Sequence, residues 1–139
     1  MISRILVPMD GSEMAHRALE YALENHPDAE ITVLHVVGEP SQWAGAATSL
    51  ALEEDLEAAA EERAEQVFDE ARELAAEYDV EIATEVQLGH PTRAILNRAG
   101  DFDAVVIGSH GGSLVDKLAI GNVAQNVVRN SPVPVIVAR

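Results

Sequence analysis

The chain has 139 residues, 47% of them apolar, and no cysteine. That length suits one domain with its own core, and the missing thiols exclude disulfides, thiolate metal sites and a cysteine nucleophile. Twenty-four acidic residues against nine Lys and Arg give a formal charge of −15, a surface that repels DNA, RNA and anionic lipid.

In chain order, the apolar run Ile2 to Val7 reads as a first strand, broken by Pro8. Asp10 fits a helix N-cap with Glu13 three residues on, and Ser12 reads as a helix-start residue. Met14, Ala18, Tyr21 and Ala22 then recur at helical spacing up to Asn25. Ile31 to Val37 is the second strand. A loop over 38–49 follows, rich in Gly, Pro and Ser and carrying the only tryptophan, Trp43.

Leu50 to Tyr78 reads as a long helix. Leu56, Ala60, Ala64, Val67, Ala71, Leu74 and Tyr78 form one apolar stripe with carboxylates on the other side, the pattern of a core face rather than a coiled coil. Val80 to Leu88 is the third strand. Gly89-His-Pro91 leads into a short helix to about Ala99, with Pro91 suited to its first turn. Asp103 to Ile107 is the fourth strand, Gly121 to Asn130 the last helix, and Val133 to Ala138 the last strand. Pro132 and Pro134 lack a ladder donor, which places that strand at a sheet edge.

Strands alternating with helices, built on near-continuous Val, Ile and Leu runs, predict a parallel sheet covered on both faces. Ligands of such sheets sit beyond the carboxyl ends of the strands, where the winding direction reverses. Pro8, Asp10 and Gly108 are the residues placed to line that crevice. No apolar run reaches the roughly 18 residues of a membrane span, and no basic region followed by a long apolar segment opens the sequence. The expected compartment is the cytoplasm. Lys117 is the only lysine among many Asp, Glu and Ala, which fits a salt-rich, halophilic cytoplasm, where salt screens self-repulsion.

The segment between the fourth strand and the last helix carries Gly108, Gly111 and Gly121 in a G-x2-G-x9-G spacing. Glycine allows close backbone approach to a ligand, and a helix start offers unpaired N–H groups that attract anions. The segment reads as a phosphate cradle, although neither the P-loop G-x-x-x-x-G-K-[ST] nor G-x-G-x-x-G occurs.

Several residues carry a second, plainer reading. Asp10 serves ribose or adenine, or caps the first helix. Gly111 and Gly112 form a cradle or a simple turn. Lys117 offsets phosphate charge or pairs with Asp116. His110 faces phosphate or supports its loop, and Trp43 covers a base or anchors its own loop. His35 reads as a packed, hydrogen-bonded core residue, and Arg129 as a partner of the helix dipole. The five histidines show no metal-ligand spacing, and no G-x-S-x-G elbow appears.

Taken together, Ile5-Leu-Val-Pro-Met-Asp10-Gly-Ser, Leu34-His-Val-Val37, Gly89-His-Pro91, Val106-Ile-Gly108-Ser-His-Gly111 with Gly121, and Val127-Val-Arg129-Asn-Ser-Pro-Val-Pro-Val135 resemble the universal stress protein family over the whole sequence. The resemblance implies a flavodoxin-like open parallel five-stranded sheet of order 3-2-1-4-5, with helices on both faces, in one domain spanning 1–139. It implies homodimers paired through Val133 to Ala138, and that pairing would cover an apolar edge. It also implies ATP, with Mg2+ bound through the phosphates. Asp10 and Val36 or Val37 would hold the adenosine end. Gly108, Gly111 and Gly121, with the N–H groups of Asn122 and Val123, would hold phosphate. Pro8, Ile107, His110 and Gly112 complete the candidate set. Asn122 stands where the family pattern has Ser or Thr; its amide can still donate to phosphate or can narrow the pocket. The expected role is a nucleotide-responsive stress module. The alternatives are a homodimeric interaction protein without nucleotide and a slow ATPase, and no catalytic residue is identified.

Overall fold

The structure, a computed structural model, describes residues 1–38, 50–110 and 121–139, with the side chains of 50–56 outside that description. Five strands and four helices follow one another: β1 (Arg4–Pro8), α1 (Glu13–Asn25), β2 (Glu30–Val37), α2 (Leu50–Glu77), β3 (Ala83–Leu88), α3 (Pro91–Ala99), β4 (Ala104–Gly108), α4 (Asn122–Asn130) and β5 (Val135–Ala138). All pairings are parallel, in the order β3-β2-β1-β4-β5. The sheet order is the one the family resemblance implies.

Side chains alternate between the faces of each strand, and each face has its own core. Ile5, Val7, Ile31, Val33 and Val106 pack with Leu19 and Leu23 of α1 and with Val67, Phe68 and Ala71 of α2. Leu6, Leu34, Val105 and Ile107 pack with Ile95 and Phe102 and with Ala124 and Val127 of α4. Burying each fully enclosed Leu or Ile stabilises the fold by about 1.5–3 kcal/mol. The α2 stripe meets the core through Ala64, Val67 and Ala71, with Phe68 and Ala75 added to it.

Most element boundaries move by one to three residues from the sequence reading, and three of the differences have a local cause. Pro8 ends β1 inside the ladder, paired with Leu34, rather than breaking the strand before it. Main-chain groups of a parallel strand point to alternate neighbours. Asp103 N–H donates to the Arg4 carbonyl, while Met9 N–H donates to the Leu34 carbonyl, so even residues of β1 face β4 and odd ones face β2. The donor that Pro8 lacks would therefore point at β4. Second, Ser12 rather than Asp10 is the N-cap of α1, its hydroxyl accepting from Ala15 N–H at 3.2 Å. Gly11, at φ +83°, turns the backbone between the two. Third, β3 begins at Ala83 rather than Val80. Asp79 takes φ +56° and Val80 N–H returns to the Ala75 carbonyl, so Val80 belongs to the end of α2.

β1 and β4 part at their carboxyl ends. Their register pairs Ile5 with Ala104 and Leu6 with Val105, whereas β2 stays beside β1 to Pro8 and β5 stays beside β4 to Gly108. Ser109 N–H continues that second ladder to the Ala138 carbonyl. The divergence opens a crevice where the winding reverses.

Candidate functional site

A cavity of about 250 Å³ fills that crevice. Its apolar wall comprises Pro8 and Met9 from the end of β1, Ala15 from α1, Leu34 and Val36 from β2, Pro91 and Ile95 from α3, and Ile107 from β4. Its polar lining is Asp10, Ser12, His110 and Asn122, and Gly108, Gly121, Val123 and Ala124 complete it. An apolar slot with a few convergent polar groups is the usual form of a small-molecule site.

Of the candidate residues, Pro8, Asp10, Val36, Ile107, Gly108, His110, Gly121, Asn122 and Val123 come together here. Val37 does not line the cavity: it follows Val36 and points to the opposite face, and its carbonyl accepts from Gly89 N–H. Gly111, Gly112, Lys117 and Trp43 lie outside the described residues. Leu34 and Ile95 line the cavity as well, and neither is among the candidates read from the sequence. For Leu34 the signal is its position two before Val36 on the same strand face.

Asp10 is exposed at the cavity wall, with its carboxylate Oδ1 accepting from Ser12 N–H at 2.9 Å. Arg63 Nη2 donates to the Asp10 carbonyl at 3.2 Å. His35, 7% exposed, makes a 2.9 Å hydrogen bond from Nδ1 to the Met9 carbonyl, as expected of a packed core histidine.

The α4 end of the cavity is built from backbone. Gly121 occupies the N-cap and offers no capping oxygen, and no acidic residue stands in the first turn. The first helical hydrogen bond runs from Gln125 N–H to the Gly121 carbonyl, so the N–H groups of Asn122, Val123 and Ala124 have no acceptor inside the helix. These three residues line the cavity at the positive end of the helix dipole, an arrangement suited to an anion.

Two of the motif glycines have packing duties besides. A Cβ on Gly108 would sit 2.8 Å from the carbonyl carbon and carbonyl oxygen of Met14, so α1 could not lie this close to β4 with any larger residue there. A Cβ on Gly121 would come 3.1 Å from His110 Cα. Gly121 N–H donates to the Ser109 carbonyl and so closes the base of the connection that leaves β4.

Ser109 is buried, and its Oγ donates to Met14 Sδ at 3.3 Å. The same Oγ lies 3.1 Å from His110 Nδ1, where the serine O–H or the imidazole N–H donates according to the histidine tautomer. Among the described residues no group of three His, Asp or Glu side chains could hold a metal ion, and no helix is long and apolar enough to cross a membrane.

The described residues define a doubly wound α/β protein with an open cleft at the switch point of its sheet. The model of the universal stress protein family matches residues 1–139, and the protein belongs to that family. Universal stress protein YxiE of Bacillus subtilis is 29% identical over 148 aligned positions, covering 100% of both proteins. Universal stress protein UspA from Lactobacillus plantarum superposes with a TM-score of 0.81 at 28% identity, over 99% of this protein and 98% of that one. The fold is also that of a universal stress protein in complex with cAMP, at TM-score 0.71 and 20% identity, covering 99% and 97% of the two. It is shared by a family member from Arabidopsis thaliana with AMP bound, at TM-score 0.69 and 18% identity, covering 98% and 90%.

Proposed function

We propose that this universal stress protein binds an adenine nucleotide, ATP with Mg2+ in the cell, and acts as a nucleotide-responsive stress-response module. The observation that carries the reading is the composition of the cavity. An apolar slot between Val36, Ile95 and Ile107 runs to three backbone N–H groups at the start of α4, which matches a flat base at one end and a polyanion at the other. Asp10 would accept hydrogen bonds from the sugar or base. Phosphate would take the N–H groups of Asn122 and Val123, with Gly111 and Gly112 as further candidates on the same connection. Mg2+ would be held through the phosphates and would lower the repulsion between a polyanion and a protein of charge −15. The adenine nucleotides in two proteins of the same fold support the choice of ligand class.

Calorimetric titration with MgATP at low and at molar salt tests the reading. Saturable uptake that Gly121→Val abolishes is expected. No uptake at millimolar nucleotide in either salt favours the second reading, a homodimeric interaction protein without nucleotide. One observation favours that second reading: β5 is an edge strand whose Val135–Ala138 are only half-buried, a surface that a second copy would cover.

A further inference from the structure

The residues that line the cavity at Asp10 are themselves gripped from the far side of the sheet. Met9, Asp10 and Gly11 form the turn between β1 and α1. The Met9 carbonyl accepts from His35 Nδ1 at 2.9 Å, and the Asp10 carbonyl accepts from Arg63 Nη2 at 3.2 Å. A carbonyl can only accept, so Nδ1 carries its proton, and the guanidinium is permanently charged. The Arg63 guanidinium also lies directly over Gly11, where a Cβ would collide with it and come 3.3 Å from Val67 Cγ2. Phe68 meets the His35 ring edge-on at 6.3 Å and 85°. Arg63, Val67 and Phe68 are spaced i, i+4 and i+5, so one stripe of α2 faces the turn. The Asp10 carboxylate meanwhile bonds to Ser12 N–H and borders the cavity. Neither His35 nor Arg63 lines the cavity.

We propose that His35 and Arg63 are positioning residues for the ligand site: by holding two successive carbonyls of the turn, they set the direction in which Asp10 presents its carboxylate to a bound nucleoside. The proposal rests on the nucleotide reading above. Gly11 is part of the device, because its φ of +83° and missing Cβ let the guanidinium settle on the turn. α2 thus reaches a cavity that it does not border.

The test combines a ligand cycle with a ligand-free readout. In calorimetry, Arg63→Ala weakens both uncharged adenosine and MgATP about fivefold, and adds no further loss in an Asp10→Ala background. His35→Asn, which keeps a donor near the Nδ1 position, retains affinity that His35→Phe loses. Independently of any ligand, amide exchange at Ser12, whose N–H is held by the Asp10 carboxylate, speeds up in Arg63→Ala and His35→Phe. An equal loss with and without Asp10, or a loss confined to MgATP, overturns the proposal, since Arg63 would then act as a distant charge or through general stability. Unchanged Ser12 exchange overturns it as well. Wild-type protein that takes up neither ligand while Ser12 exchange still responds sinks the nucleotide reading and leaves the grip itself demonstrated.

Discussion

The two ends of the sheet are finished in opposite ways. At the amino ends of the strands, charged side chains are paired with one another and with backbone. Arg4 and Arg98 lie over the ring of Phe102, 5.1 Å and 5.4 Å from its centroid. Arg98 pairs with Glu85 at 2.6 Å and also with Asp101, and Arg4 donates to the Asp101 carbonyl. Asp103 accepts from the N–H groups of Ser3 and Arg4. At the carboxyl ends, β1 and β4 part, and the space between them is bordered by apolar side chains and by the first residues of α4, whose N–H groups have no acceptor in their own helix. The first end can stabilise the fold without limiting what binds at the second. Substitutions at one end should then move stability alone, those at the other should move affinity, and a residue that moves both marks where the two are joined.

Gly108 lies at the carboxyl end and also packs against α1, so its substitution should move both quantities and has the largest expected effect. A Cβ there meets the Met14 backbone at 2.8 Å and Met14 Cβ at 2.9 Å, atoms that no rotamer change can move aside. Gly108→Ala should cost about 2–3 kcal/mol by overpacking, read as a lower urea midpoint, and should weaken MgATP uptake as α1 shifts. A variant within about 0.5 kcal/mol of wild type would show that the helix yields easily, and that the glycine is there for the ligand alone.

Arg98→Ala comes next, and Arg98 ties Asp101 and Phe102 at the amino end to Glu85 in the body of β3. It takes the cation from the Glu85 side chain, 27% exposed, which keeps the Gln87 amide as a donor at 3.3 Å, and removes one cation from Phe102. The hydrogen bond to Glu85 raises the pKa of Arg98, so the guanidinium stays charged throughout the working range. A loss of about 1–2 kcal/mol is expected, with MgATP affinity unchanged. A matching drop in affinity would mean that the two ends communicate.

One of these ends is far easier to read from sequence than the other. Apolar runs such as Ile5–Val7 and Val105–Ile107 and the helical stripe through Val67 and Ala71 are local signals, and the strand order comes with the family resemblance. The candidate cavity residues are legible where they sit in a motif, as Gly121 and Asn122 do. The packing duty of Gly108 depends on Met14, ninety-odd positions away in sequence, and no spacing rule carries that. The amino-end network is equally hidden. Asp101 and Phe102 belong to no motif and Asp103 reads as the first residue of a strand, and only the return of the backbone beside Arg4 gives them partners. The choice of Ser12 over Asp10 as N-cap is illegible for a similar reason: it depends on the positive φ at Gly11, which the Arg63 contact helps to hold.

Asn122→Ser sharpens the cavity end with a smaller effect. If the backbone N–H groups of α4 carry the phosphate, restoring a hydroxyl should leave MgATP affinity within about threefold. A gain of about tenfold or more would mean that the Asn122 side chain occupies part of the ligand's space.

The smallest effect is a pH dependence at the amino end, and its sign is fixed by geometry. The two backbone N–H groups of Ser3 and Arg4 stabilise the Asp103 carboxylate and hold its pKa below the ordinary 3.8. A carboxyl group with a depressed folded pKa binds fewer protons folded than unfolded, so its contribution is complete above pH 3.8 and is lost as the pH falls through the folded value. Asp103→Asn has no charge to lose. Its stability should sit slightly below wild type at neutral pH and converge on it in acid, where the wild-type carboxylate becomes protonated and releases Ser3 and Arg4. Two unfolding curves that stay parallel from neutral pH into acid would place the acid-sensitive contact elsewhere and remove Asp103 from the pairing at this end.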